Sequence, residues 1–124
     1  MQISHFTELK VHRKSGELAA LIFAISKRWL AEERYSLTDQ IRRAARSVGA
    51  NIAEAWGKRR YEAHFISKLT DADGENQEVE HWLLTARRDG YLTEPEFTDL
   101  LEQKREVGRM LGSMIQNPTL FLLH

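Results

Sequence analysis

The chain has 124 residues, 42% of them hydrophobic, with 18 Lys and Arg, 18 Asp and Glu and a formal net charge of zero. That length predicts one domain, residues 1–124, with room for a real core, and the absence of cysteine excludes disulfides and thiolate metal sites. No apolar run reaches the ~20 residues of a membrane span, and the opening MQISHFTELKVHRK lacks the apolar region of a signal peptide, so the expected location is cytoplasmic.

Two prolines near loops, and many Leu, Ala, Glu and Arg, predict an all-α chain. Ile3 to Phe6 reads as a short lead-in that packs Phe6 onto the body. A first helix is expected from about residue 9 to residue 31, with Leu18, Leu21, Ile22, Ile25 and Trp29 on its apolar stripe. Glu32 to Tyr35 then makes the turn into a second helix, expected over 37–56. Ser36 and Asp39 are spaced as a capping box. Leu37, Ile41, Ala44, Val48, Ile52 and Ala55 recur at threes and fours.

The other face of this second helix carries Arg42, Arg43 and Arg46, then Gly49, Ala50 and Ala53. A solvated face is usually filled with Glu, Lys and Gln. Small residues admit a close neighbour, so this face is read as one side of an interface. Asn51 and Glu54 lie at its margin as candidates for a structural polar network. Gly57 and the run Lys58, Arg59, Arg60 follow.

A third helix is expected over 61–89, about 40 Å long at 1.5 Å per residue. Phe65, Leu69, Ala72, Asn76, Val79, Leu83 and Ala86 keep a strict 4-3 alternation, the seam of a bundle. Asn76 is its polar member, and such a residue can fix register at some cost in stability. Gly90 is placed to end the helix. A fourth helix is expected over 94–116. Thr93 and Glu96 form its capping box, Leu92 and Phe97 its staple, and Pro95 lies in its first turn. Gly108 and Gly112 stand four apart and predict a close crossing; with Gly49, Ala50 and Ala53 they are the candidate interface to another copy. After Asn117-Pro118 comes an apolar tail, 119–124, expected to dock on its own bundle or on a neighbour.

Charge is segregated along the chain. From Lys27 to Arg60 there are nine Lys and Arg against four Asp and Glu; from Tyr61 to Glu106 there are five against twelve. The basic half suggests phosphate contacts through Arg42, Arg43, Arg46, Lys58, Arg59 and Arg60. The competing reading pairs these cations with Asp71, Asp73, Glu75 and Glu80 of a neighbouring copy. Catalysis has little to rest on. Glu78 and His81 form a single Glu-x-x-His, whereas a di-iron bundle needs two such pairs and two further Glu. Glu78 is read instead, with Asn76, as part of the polar network. No cofactor, catalytic residue or metal ligand is expected.

These pieces together resemble the four-helix bundle proteins encoded in intervening sequences of bacterial 23S rRNA genes. The resemblance runs through Phe6 and Leu9, Tyr35-Ser-Leu, Gln40-Ile-Arg-Arg-Ala-Ala, and Ser47-Val-Gly-Ala-Asn-Ile-Ala-Glu. It continues through Phe65, Leu69, Ala72, Gly74, Glu78, Leu83 and 86–92, and ends in Arg109-Met-Leu-Gly-Ser-Met-Ile. The chain departs at Ala55, where the family usually has Gly. The resemblance implies an antiparallel up-down-up-down four-helix bundle that assembles into a homopentamer, with no enzyme activity and no cofactor. A similar fold and assembly occur in the accessory proteins of diversity-generating retroelements, which bind a reverse transcriptase and nucleic acid through basic surfaces. The expected partners are therefore further copies of the chain and RNA or DNA; the alternative is a protein scaffold whose partner is such a reverse transcriptase.

Overall fold

A computed structural model describes residues 3–123. It is a four-helix bundle: α1 (Lys10–Ser26), α2 (Leu37–Gly57), α3 (Glu62–Arg88) and α4 (Glu94–Gln116), with 3-10 turns at Phe6–Glu8, Ala31–Glu33 and Pro118–Leu120. No strand occurs among the described residues, and no helix among them is long and apolar enough to cross a membrane. The α2–α3 pair shares the most extensive contact; α1 lies against α2 and α4, and α3 against α2 and α4.

Every residue of the expected α3 seam is buried. Two apolar clusters make the core. One gathers Leu18, Ile22, Trp29, Leu37, Ile41, Leu83, Phe97 and Leu100 among others. The second holds Leu9, Val11, Val48, Ile52, Phe65, Leu69, Val107 and Leu111 among others. Asn76 belongs to neither. Its Nδ2 donates to the carbonyl of Lys104 on α4 at 3.1 Å, while its Oδ1 is buried without a partner. A Cβ on Gly108 would stand 3.3 Å from that Nδ2, so the glycine leaves room for the amide. The same level holds the buried Lys104, whose Nζ donates to Gln77 and Glu80 of α3, each at 2.9 Å. Asn76 thus ties the backbone of α4 to α3, and the tie cannot slide by a turn without stranding a buried amide.

Two local expectations change and a third, the end of α2 near residue 56, holds. The first helix ends at Ser26, not at 31. Ser26 Oγ donates to the Phe23 carbonyl, and Arg42 from α2 donates to the same oxygen at 3.3 Å. These side chains satisfy the last turn, and two tight bonds, Arg28 N–H to Ile25 and Trp29 N–H to Ser26, turn the chain away. Trp29 is still core, packed near Tyr91 from outside the helix. Ser36 stands at the N-cap of α2 as read, but its side chain makes no capping bond. Its hydroxyl donates instead to the Glu33 carboxylate at 2.7 Å, and that carboxylate also accepts from Tyr91 and feels the Leu37 backbone in the first turn of α2. An anion thus meets the positive end of the helix, supplied from the preceding turn. Finally, α2 runs unbroken through Ala55, which is fully buried, to Gly57.

Other signals hold as read. Thr93 and Glu96 form the full capping box, with Pro95 in the first turn. Gly90 has φ +85°, a backbone conformation that favours glycine, and ends α3. Phe6 packs onto the second cluster together with Ile3. Phe121 and Leu122 of the tail dock on the same cluster, whereas Leu120 is 85% exposed and Leu123 is 54% exposed. His124 lies outside the described residues.

Two outcomes test this frame. Hydrogen bonds from Ser36 and Tyr91 hold the Glu33 carboxyl below its ordinary value of 4.5. Its contribution is therefore present above that value and is lost as pH falls through the lowered one. Glu33→Gln should lower the melting temperature at pH 6, and the gap to the parent should close towards pH 3. Asn76→Asp should place a carboxylate against the Lys104 carbonyl and cost about 2–4 kcal/mol at pH 7. Because burial raises that carboxyl, stability should recover as pH falls and the acid proton can donate to the carbonyl. Urea titrations at pH 7 and pH 5 check this.

Candidate nucleic-acid interface

The six basic candidates divide into those spent on the fold and those left to solvent. Arg42 is half-buried. Its Nε donates to Ser26 Oγ at 2.8 Å, its Nη2 to Phe23 O, and its guanidinium lies over the Phe23 ring at 4.5 Å. Arg46 and Lys27 also approach that ring, at 5.3 and 4.8 Å, so one phenyl face serves three cations. Arg43 is exposed and makes a long i,i+4 pair with Asp39 at 3.9 Å. Its charge also reaches Glu75 of α3, whose carboxyl is pushed up by burial and by the adjacent Glu78, with Arg43 pulling the other way.

Arg59 is the most committed of the six. Its Nε donates to the Trp56 carbonyl at 2.7 Å and its guanidinium stacks 3.4 Å over the Trp56 ring. Nη1 reaches the Phe121 carbonyl at 3.5 Å, and the Arg59 carbonyl accepts from the Leu123 N–H. The basic run therefore splits. Its centre clasps the tail, while Lys58 and Arg60 on either side stand exposed, without a carboxylate in ion-pair range among the described residues. Tyr61, 59% exposed, follows them with its ring edge-on to His64 at 5.4 Å.

The polar candidates do not form one network. Asn51 bonds back to Ser47 O on its own helix, and Glu54 pairs with Lys68 of α3 at 2.7 Å. Glu78 accepts from Trp82 Nε1 at 3.2 Å. Only Asn76 bridges two helices through a buried bond, and its partner is backbone. His81 is exposed with its ring against Trp82, and no group of three or more metal-ligating side chains is assembled among the described residues.

The small residues divide in the same way. A Cβ on Gly49 would stand 3.3 Å from Ser15 Oγ of α1, and one on Gly108 would meet Asn76, so both glycines answer contacts inside the chain. Around Gly112 there is open space, and Ala50 is exposed. Gly16, Ala45, Gly49 and Ala50 help to line a shallow groove of about 230 Å³ between α1 and α2. The Arg59 clasp was not legible beforehand. Its one sequence signal is Trp56 three residues earlier, within reach of a cation at helical spacing.

The model of the family described as 23S rRNA-intervening sequence protein matches residues 7–113. Among solved structures, the chain is similar to a protein of unknown function from the S23 ribosomal protein family of Bacteroides thetaiotaomicron VPI-5482. The identity is 33% and the TM-score 0.78, over 86% of this chain and 96% of that one. No curated protein matches.

Arg59→Ala should release the tail, costing about 1–3 kcal/mol for the lost stacking and hydrogen bonds. Limited proteolysis followed by mass spectrometry should show faster cleavage after residue 117, with the helical circular dichroism unchanged.

Proposed function

The chain belongs to the 23S rRNA-intervening sequence protein family, and we propose that it acts as a non-enzymatic homo-oligomer, a pentamer, that associates with nucleic acid through a basic surface in the cytoplasm. The observation that carries this reading is the exposed pair Lys58 and Arg60 beside the exposed Tyr61 at the α2–α3 turn. Two cations on a short connection, without carboxylate partners among the described residues, suit phosphate oxygens. A neighbouring phenol ring suits an unpaired base. Symmetry would repeat the patch on every subunit. Binding of this kind is steep in salt and weak in sequence preference.

Oligomerisation is supported by the unoccupied small-residue surface at Ala50, Ala53 and Gly112 and by the exposed Leu120 and Leu123. An up-down-up-down arrangement is supported by connections of four and five residues on either side of α3, and by α1 and α4 closing the ring. The second reading is a protein scaffold, such as a reverse-transcriptase accessory protein, in which the cations hold copies or partners together. Arg43 favours it, because that guanidinium already lies in the field of the α3 acids.

The double variant Lys58→Glu/Arg60→Glu separates the readings and leaves Arg59 to hold the tail. It should abolish the gel shift of a single-stranded RNA while the sizing-column volume stays that of the oligomer. In milder Ala variants the slope of log K against log salt should fall by about one for each phosphate contact removed. Dissociation of the oligomer would favour the scaffold. Parent protein that binds no RNA or DNA even at low salt would overturn the nucleic-acid reading.

A further inference from the structure

A second cationic feature stands apart from the basic run. Where α1 ends and α2 begins, the chain folds around a pocket of about 300 Å³ walled in part by Ser26, Lys27, Trp29, Arg34, Thr38 and Arg42. None of its lining side chains is acidic, and three of them are cations. Lys27 and Arg34 have no carboxylate in ion-pair range among the described residues. The contact recorded for each is an aromatic ring, Phe23 for Lys27 and Tyr35 for Arg34. Arg42 is held in place by Ser26 Oγ and Phe23 O through Nε and Nη2, so its orientation is fixed before any ligand arrives.

Of the two acids in the connecting turn, Glu32 and Glu33, neither lines the pocket. The Glu33 carboxylate is taken by Ser36 and Tyr91. The Arg28 guanidinium, on the other side of the turn, pairs with Glu96 of α4. Thr38 is 7% exposed and brings a hydroxyl to the pocket wall. Trp29 lines the same wall, and its indole N–H is buried without an acceptor. Three cations, the Thr38 hydroxyl and no carboxylate make a site for an anion, the Ser26 proton being spent on the Phe23 carbonyl. Guanidinium and ammonium groups around a space at the small end of ligand pockets suit a tetrahedral, multiply charged oxyanion.

We propose that this corner pocket binds one phosphoryl group, seated as a backbone phosphate of the nucleic acid. The source of the phosphoryl group rests on the nucleic-acid reading above; the site itself does not. Arg42 supplies the fixed donor, and Lys27 and Arg34 close over the anion from the exposed side. The pocket thus gives the strand a second, defined anchor on each subunit, separate from the exposed Lys58 and Arg60.

The test uses the whole chain, with inorganic phosphate as one probe and single-stranded RNA as the other. In nitrogen–proton correlation spectra the indole signals of Trp29, Trp56 and Trp82 report on three parts of the molecule. Phosphate should shift the Trp29 signal in a saturable way and leave the other two in place. Lys27→Ala/Arg34→Ala, which removes two exposed side chains, should weaken this binding by tenfold or more and lower the RNA salt slope by about one, for the one phosphate lost. Lys58→Ala/Arg60→Ala should leave the phosphate titration as it was. A phosphate-responsive Trp29 with an unchanged RNA slope would keep the site, assign it to a free phosphorylated ligand and overturn the backbone assignment. Three outcomes overturn the site itself: no saturable shift at Trp29, equal shifts at all three indoles, or Lys27→Ala/Arg34→Ala dissociating the oligomer without changing phosphate affinity.

Discussion

The bundle depends on a single side-chain-to-backbone bond, from the Asn76 amide to the Lys104 carbonyl. Apolar seams alone allow neighbouring helices to slip, because one Leu-for-Leu register is nearly as good as the next. A buried amide has no such freedom, since a slip leaves it unpaired at a cost of about 1–3 kcal/mol. Gly108 makes the bond possible by leaving space where a Cβ would press on the amide. Above and below this level the core is apolar, in two separate clusters. The unpartnered Oδ1 is a stability cost of the device, offset by the packing on either side.

With α3 fixed against α4, part of the acidic surplus of the chain is paired within it. Glu80 takes Lys104, Asp71 and Glu54 share Lys68, Glu94 takes Arg87, and Glu96 takes Arg28. The basic surplus of the first half is treated differently. Arg42 and Arg59 donate to backbone carbonyls and lie over aromatic rings. Their contacts are neutral, so their charges stay uncompensated. Arg42 sits at the negative end of α1, where the helix dipole favours it. Such arginines hold the fold and still project positive potential outward.

Periodicity carried most of the fold, because burial of a stripe is a local property of the sequence. The α3 seam, Gly90 and the Thr93–Glu96 box depend on residues within one or two turns, and all stand where spacing put them. The misreadings depend on distant partners. The Ser36 hydroxyl turns from the α2 backbone to the Glu33 carboxylate, which Tyr91, far along the chain, helps to hold in place. The first helix stops at Ser26 because Arg42 competes for its last carbonyls. Gly49 and Gly108, read as openings for another copy, face Ser15 and Asn76 of the same chain. Asn51 and Glu54, adjacent on a helical wheel, bond in different directions. Residue type showed that these positions are special but not which surface they serve.

Net charge is a poor guide to what such a surface binds. At physiological salt the Debye length is about 8 Å, so a cation feels its immediate neighbours and little of the far side of the molecule. The zero balance of the chain therefore says little about its basic corner. What matters is the local inventory, and it differs among the cations. Arg43 stands between Asp39 and Glu75 and is partly neutralised before any ligand arrives. Lys27, Arg34, Lys58 and Arg60 have no such neighbour in ion-pair range among the described residues. Lys10, Arg13, Arg46 and Arg105 also lack a carboxylate in range among the described residues, and what sets the four apart is their grouping at the two connections that flank α2. Glu62, Asp73 and Asp99 of α3 and α4 also lack an ion-pair partner among the described residues, so an anion at the basic corner, phosphate or carboxylate, meets a charge that the fold has left open.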